Sequence, residues 1–267
     1  MSTSPISVQR PRSAVERWGT LLRYGSIGLV LAIWEYAGHT GERLLIPPFS
    51  TTVAALWRMT ISGELLSALA LSNQSLAIGF TLTVLLGIPL GLLLGRFPTL
   101  DRASSLYLDI SLVLPMVALM PVVIAALGIT LTARVVIVIL FAVPGLVVNV
   151  RTGMRGVDPR LVEMARAFGA REWEIWWKVT LPAALPALMA GLRYAASRAV
   201  VGMIIVELTL ISVGVGLIIQ AGRGSFQPEI VFAATIVIAA EGMFIVSLAR
   251  RFERSIAAPR HASRASR

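Results

Sequence analysis

Residues 68–95, ALALSNQSLAIGFTLTVLLGIPLGLLLG, contain no charged side chain, and this apolar run decides the fold class. A transmembrane α-helix needs about 20 consecutive, mainly apolar residues to cross the hydrocarbon core of a bilayer. A ridge of small side chains recurs along the run at every fourth position, formed by Gly79, Thr83, Gly87, Gly91 and Gly95. Small residues at this spacing let two helix backbones approach closely in lipid. The run therefore predicts a membrane-spanning helix that packs tightly through its glycine-rich face.

The same small-residue spacing returns later in the chain, at Gly191, Ala195 and Ala199. Close packing between helices explains both ridges without any further role, so we interpret their glycines as packing residues. Neither ridge indicates one particular function.

Further apolar stretches accompany the first in a chain of 267 residues. The predicted spans cover residues 24–38, 68–95, 104–128, 135–150, 183–210 and 230–249. Only 14% of the residues are charged and the mean hydropathy is +0.80, whereas a soluble domain carries about 25% charged residues. The sequence predicts an all-α polytopic membrane protein of about six transmembrane helices, with one transmembrane domain over residues 24–255.

The first apolar stretch has an alternative interpretation. It is preceded by four arginines, at positions 10, 12, 17 and 23. Basic residues likewise precede the apolar region of a secretory signal peptide. However, no clean small-residue cleavage site follows this stretch. The other apolar stretches follow it instead. An uncleaved first helix is the better interpretation.

Basic residues near the ends of the spans predict the orientation of the chain. Most lie in residues 1–23, 96–102, 151–182 and 250–267, whereas the opposite side has only Arg43, Arg58, Arg134 and Arg223. Basic residues close to a span remain in the cytoplasm. We therefore expect cytoplasmic termini, with a basic N-terminal segment at 1–23 and a basic, disordered tail at 256–267. This topology accounts for the net charge of +10, so nucleic-acid binding is not expected.

Residue types that build catalytic or metal sites are scarce. The chain has no cysteine, which excludes disulfides and thiolate sites, and its two histidines, His39 and His261, lack neighbouring ligands in sequence. Neither a metal site nor an enzyme active site is expected.

Ionisable groups inside spans are costly and are therefore functional candidates by default. This group comprises Glu35, Asp109, Arg193, Arg198, Glu207 and Glu241. We select Glu207 and Glu241 as the leading candidates to line a translocation pathway. Weaker candidates are Pro115, Met116, Met120 and Asn149.

The connection at 151–182 is long, and its sequence pattern predicts regular helices. Asp158 and Pro159 are typical of a helix start, and Gly169 can end that helix because glycine adopts the left-handed conformation. A second helix is predicted to follow, with Glu174 and Lys178 paired on one face, before Leu181-Pro182 turns the chain back into the membrane. This amphipathic, basic element either lies on the bilayer surface or docks a soluble partner, and the residues alone leave both readings open.

The residues Glu163-Met164-Ala165, then Gly169, Val179 and Leu181-Pro182, resemble the EAA loop of ABC importer permeases. That motif reads E-A-A-x3-G-x9-I-x-L-P, and the departures at Met164 and Val179 are mild, apolar replacements. The segments 157–170 and 87–95 are similar to the sulfonate, nitrate and taurine branch of these permeases.

The resemblance implies a type I ABC importer permease fold in the bacterial inner membrane. It implies that two permease copies pair and that each docks one ATP-binding subunit through a coupling helix in the loop. The coupling residues carried over are Glu163, Ala165, Arg166, Gly169, Val179, Leu181 and Pro182. It also implies a periplasmic or lipid-anchored solute-binding protein, contact with membrane lipid, and a small organic or inorganic anion as substrate.

ATP and Mg²⁺ are expected on the partner ATPase and no cofactor on this chain. A phosphate-binding Walker loop needs the pattern GxxxxGK[ST], but the one lysine, Lys178, follows Trp177. The competing interpretations are an ATP-independent secondary transporter or channel, and a membrane-embedded enzyme. The EAA spacing argues against the transporter, and the spans contain no histidine or cysteine for an enzyme.

Overall fold

The structure, a computed structural model, describes residues 12–41, 46–209 and 213–257, with side chains from residue 22 to residue 255 of these ranges. Every secondary-structure element in them is a helix. The helices are α1 (Arg12–Thr40), α2 (Phe49–Ile61), α3 (Glu64–Arg96), α4 (Pro98–Val113), α5 (Met116–Leu127), α6 (Leu131–Arg155), α7 (Pro159–Ala167), α8 (Glu172–Ile175), α9 (Leu181–Thr209), α10 (Gly214–Gly224) and α11 (Pro228–Ala257). Residues 1–11 of the predicted N-terminal segment and 258–267 of the predicted tail lie outside the described residues.

Four helical segments of the described chain are long and apolar enough to cross a membrane. They are α3, α6, α9 with the helices that flank it, and α11. Counting α4 and α5 together as one bent span gives five. The predicted all-helical membrane fold is confirmed at this level. Helix α1 is not among these segments.

Residues 104–128 do not form the continuous helix that one span would require. Helix α4 ends at Val113, and Leu114 adopts φ −56° and ψ 128° ahead of Pro115. A residue before proline is disfavoured in the α region, and proline itself lacks an N–H donor. Helices α4 and α5 consequently meet at 98°. The predicted span at 104–128 is therefore broken in its middle in the structure.

The glycine ridge of α3 packs against α6. The contacting pairs are Gly79 with Val138, Gly87 with Leu146, Gly91 with Val150, and Gly95 with Met154. Thr83 is fully buried between them and donates its hydroxyl to the Gly79 carbonyl at 2.8 Å. A Cβ at position 91 would lie 2.6 Å from Val150 Cβ, closer than packed carbon atoms approach. Because glycine has no side chain, these positions allow the short distance between the two helices.

Helix α6 lies between α3 and α9 and forms the centre of the bundle. On its other side, Gly191 of α9 packs against Asn149 and Leu146. Leu146 is fully buried and shares one hydrophobic cluster with residues of α3 and α9. Close backbone contact on both faces of α6 makes α3, α6 and α9 one packed unit.

Two short helices cap the end of the bundle at which α3 begins. Helix α2 packs through Ala55 and Met59 against α11 and α10. Helix α10, which was not predicted, buries Val215 and Ile218 in the same cluster. Helix α1 joins this end through Trp34, which donates to the Pro47 carbonyl at 3.0 Å.

Candidate functional site

Helix α7 has well-defined ends in the predicted loop. The Asp158 carboxylate accepts a hydrogen bond from the Arg160 N–H at 2.9 Å and so caps the first turn. At the other end Gly169 has φ +79°, and the N–H groups of Gly169 and Ala170 donate to the carbonyls of Arg166 and Ala165. This pair of bonds is a Schellman motif, in which a left-handed residue closes the helix. The predicted helix start and helix end are both confirmed.

An apolar stripe on α7 is open to solvent. Its members are Leu161, Met164 and Phe168, with exposed fractions of 36%, 54% and 86%. Glu163 is exposed on the same helix and has no hydrogen bond or ion pair to any described residue. Ala165 and Val162 are half-buried. An exposed apolar face is a suitable docking surface for a soluble protein.

Glu172 connects α7 to the end of α3. One carboxylate oxygen accepts from Arg166 Nη2 at 2.9 Å, and the other from Arg96 Nη2 at 3.2 Å. Arg166 belongs to α7 and Arg96 is the last residue of α3. The charge-assisted bonds therefore link α7 to a helix of the packed bundle.

Helix α8 continues into the membrane span without the predicted turn at Leu181-Pro182. A π-helical turn, Trp176–Thr180, joins α8 to α9, and the Leu181 N–H donates to the Trp176 carbonyl five residues earlier. The wider turn lets the helix continue into a sequence with proline at its second position. The predicted reversal of the chain is wrong, whereas the predicted Glu174–Lys178 pair is confirmed at 2.9 Å. Val179, Leu181 and Pro182 are half-buried where the loop enters α9.

Asp101 forms a second link at this end of the bundle, which sequence reasoning missed. It is 4% exposed and binds Arg151 and, at 2.6 Å, Arg155. The two arginines lie one turn apart at the end of α6, so their spacing alone could have placed them on one face. Their partner in α4 is distant in sequence and becomes evident only in the fold.

Glu207 joins three helices of the bundle through one carboxylate oxygen, and its Oε1 is buried without a partner among the described residues. It is 1% exposed, and its Oε2 accepts from the Ser72 hydroxyl at 2.8 Å and the Gly216 N–H at 3.3 Å. Ser72 Oγ in turn accepts from the Val215 N–H at 3.1 Å. These bonds join α3, α9 and the first turn of α10. Its predicted place in a pathway stays a prediction.

Glu241 lies half-buried on α11 and accepts a hydrogen bond from the Asn73 side chain of α3. The second carboxylate oxygen of Glu241 is buried without a partner among the described residues. An unpaired buried carboxylate oxygen is costly, so this position keeps its interest as a pathway candidate.

The remaining pathway candidates occupy different environments. Met116, in the first turn of α5, borders a small cavity between α4, α6 and α9. Met120 is 1% exposed and its sulfur accepts from Thr209 at 3.6 Å, so it belongs to a core cluster. Asn149 is half-buried and donates to the Gly145 carbonyl at 2.7 Å. Pro115 is exposed at the break between α4 and α5.

Residues 87–258 match the family described as "Binding-protein-dependent transport system inner membrane component". A putative aliphatic sulfonates transport permease of Bacillus subtilis is 32% identical, over 92% of this chain and 90% of that protein. A riboflavin transport system permease of Chloroflexus aurantiacus is 31% identical, over 94% of this chain and 96% of that protein.

The fold is similar to that of a chain in an inward-facing structure of the MetNI methionine ABC transporter. The TM-score is 0.58, the identity is 24%, and the match covers 72% of this chain and 94% of that one. At this identity the similarity concerns the fold alone.

Proposed function

The chain belongs to the family of binding-protein-dependent transport system inner membrane components, and from this premise we propose that it imports a small anion such as a sulfonate. As an ABC permease of the inner membrane it is a transport subunit and not an enzyme, and a separate ATPase hydrolyses ATP. The Bacillus subtilis relative is named for aliphatic sulfonates, which supports an anionic substrate here.

The observation that carries the proposed mechanism is the exposed face of α7 on a fixed support. Phe168 projects to solvent with 86% of its surface exposed. Glu172 holds α7 to α3 through Arg166 and Arg96. A subunit bound to α7 would therefore pull directly on α3, which is locked to α6 by its glycine ridge. Helices packed in this way move as near-rigid bodies, as alternating access requires.

The finer topology belongs to the same proposal. We place α1 in the membrane as a further span, because Leu29, Val30 and Ile33 leave about 60% of their surfaces exposed on one described face. Lipid or a second chain would cover that face. The six-span arrangement with cytoplasmic termini then follows from the distribution of basic residues.

The proposed assembly contains two copies of this permease, two ATP-binding subunits that hold ATP and Mg²⁺, and a solute-binding protein. The solute-binding protein would meet the end formed by α2 and α10, which lies opposite the α7 loop along α3. Lipid surrounds the exposed apolar faces of the spans, and no nucleic acid takes part. An ATP-independent transporter is not favoured, because it would leave the exposed α7 stripe without a partner.

The test is purification of the tagged permease with its ATPase and binding protein, followed by uptake of radiolabelled ethanesulfonate into proteoliposomes. We expect uptake that requires ATP on the ATPase side and the binding protein on the other. Uptake that continues without ATP would contradict the importer. ATP-driven uptake of riboflavin but not ethanesulfonate would contradict the proposed substrate and leave the importer intact.

A further inference from the structure

Arg198 lies deep within α9, a long apolar helix of the bundle. Helix α9 extends over Leu181–Thr209, and at a rise of 1.5 Å per residue Arg198 is roughly 25 Å from its first residue and roughly 16 Å from its last. A hydrocarbon core is about 30 Å thick, so neither end is within easy reach of the side chain. An arginine at such a depth is a functional candidate that needs an explanation.

Two other cations inside the spans have protein partners. Arg193 binds Glu253 at 2.8 Å, and Arg134 donates to the Leu71 carbonyl at 3.2 Å. Arg198 has no carboxylate within salt-bridge distance among the residues that the structure describes. The structure gives it a cation–π contact, in which the guanidinium carbon lies 5.7 Å from the centroid of the Phe141 ring.

The surroundings of Arg198 form a built site. It borders a cavity of about 30 Å³ with Ser111, Met116 and Tyr194, which is room for about one water molecule. The Tyr194 ring lies across Gly145, where any side chain on α6 would collide with it. The break between α4 and α5 brings Ser111 and Met116 to the same place from two different helices.

Tyr194 is 43% exposed although it lines the cavity. Because the cavity has room for only about one water molecule, the oxyanion of a solute would meet Arg198 beside the tyrosine ring and not inside the cavity. A guanidinium offers a planar fork of donors that matches the oxygens of a sulfonate. The tyrosine hydroxyl can add a further hydrogen bond to such an oxyanion, whereas the Ser111 hydroxyl donates to the Leu108 carbonyl at 2.7 Å.

We propose that Arg198, with Tyr194, forms a site in the middle of the membrane that pairs with the sulfonate group of the passing solute. This inference rests on the proposed function and adds the group that selects for anionic charge. The solute replaces the protein carboxylate that Arg198 lacks. Phe141 keeps the guanidinium in place between transport events through its ring face.

The absence of cysteine from the chain permits a chemical test on Arg198→Cys. The complete complex would be assayed for ATP-driven ethanesulfonate uptake before and after reaction with 2-aminoethyl methanethiosulfonate, which adds a positive charge. We expect Arg198→Cys and Arg198→Gln to lower uptake at least tenfold. Attachment of the aminoethylthio group to Arg198→Cys should raise uptake at least threefold. The corresponding 2-sulfonatoethyl methanethiosulfonate, which adds a negative charge, should not raise it.

Two controls make the result specific. Arg193→Gln removes a cation one turn away that already has a protein partner, and uptake should change less than threefold. The wild-type complex treated with the same reagents corrects for cysteines on the ATPase. If Arg198→Gln transports at the wild-type rate, or if adding either charge to Arg198→Cys has the same effect, the inference is overturned.

Failure of the inference can be told apart from failure of the proposed function. A wild-type complex that takes up no ethanesulfonate contradicts the proposed substrate before any variant is compared. Should Arg198→Gln not assemble with the ATPase, Arg198→Lys retains the charge, and uptake by the lysine variant no greater than by Arg198→Cys also overturns the inference.

Discussion

Gly91 of α3 lies directly against Val150 of α6, so that a methyl group at position 91 would stand 2.6 Å from Val150 Cβ and 3.0 Å from the Val147 carbonyl oxygen. The second contact is with backbone, which cannot move aside as a flexible side chain can. The distance between two central helices of the transporter thus depends on the absence of a side chain.

Gly91→Ala should therefore destabilise the bundle by about 1–3 kcal/mol, the range found when a methyl group is forced into a packed core. The measurement is thermal stability in mild detergent, followed by size-exclusion chromatography. Gly28→Ala is the matched control, because nothing lies within 4 Å of a Cβ at that position on α1. Equal melting temperatures for the two variants would contradict the packing role of the ridge.

Gly169→Asp should leave the permease folded in the membrane and release the ATPase. Position 169 has φ +79°, a conformation that a side chain disfavours, so α7 would lose its defined end. Co-purification with the ATPase measures the effect. Gly63→Asp is the control, because Gly63 has φ +76° and equally open surroundings at the opposite end of α3. An intact complex with Gly169→Asp would argue against docking at α7.

Glu172→Gln should weaken the coupling between ATP hydrolysis and transport while barely changing stability. Its bonds to Arg96 and Arg166 are at the surface, where such pairs contribute about 0–1 kcal/mol. We expect the ratio of solute moved to ATP hydrolysed to fall severalfold. Glu174→Gln breaks a pair within one helix and should leave that ratio unchanged. A similar ratio of solute moved to ATP hydrolysed in both variants would show that the bond from Glu172 to α3 has no part in coupling.

Substitution of Glu207 separates a packing role from a pathway role. Glu207→Gln keeps oxygen and nitrogen atoms near Ser72 and Gly216, so we expect assembly and uptake within about threefold of the wild type. Glu207→Ala leaves those buried donors without a partner and should reduce the yield of folded protein. A Glu207→Gln variant that folds normally but loses uptake would instead place the carboxylate in the pathway.

Features that depend on neighbouring residues in sequence were predictable. The helix start at Asp158, the helix end at Gly169 and the Glu174–Lys178 pair all follow from local rules. The apolar runs likewise predicted most of the spans, because about 20 apolar residues have few alternatives to crossing a bilayer.

Features that depend on tertiary contacts were not predictable. The burial of Asp101 between Arg151 and Arg155 needs α4 and α6 to meet. The bend at Leu114-Pro115 was missed for a different reason, because both sides of it are apolar and hydropathy alone does not reveal a break that a local rule for proline explains. Glu207 shows the same limit, because a carboxylate within a span can equally line a pathway or hold three helices together.

The most direct test of the central claim is a crosslink from the tip of α7. A single cysteine at position 168, in a chain that has no other, would be joined by a short thiol reagent to cysteines placed along the surface groove of the ATPase in the purified complex. The account predicts a crosslink between this permease and the ATPase that changes in yield when ATP binds. A complex that stays intact and transports, yet gives no crosslink at any groove position, would contradict it.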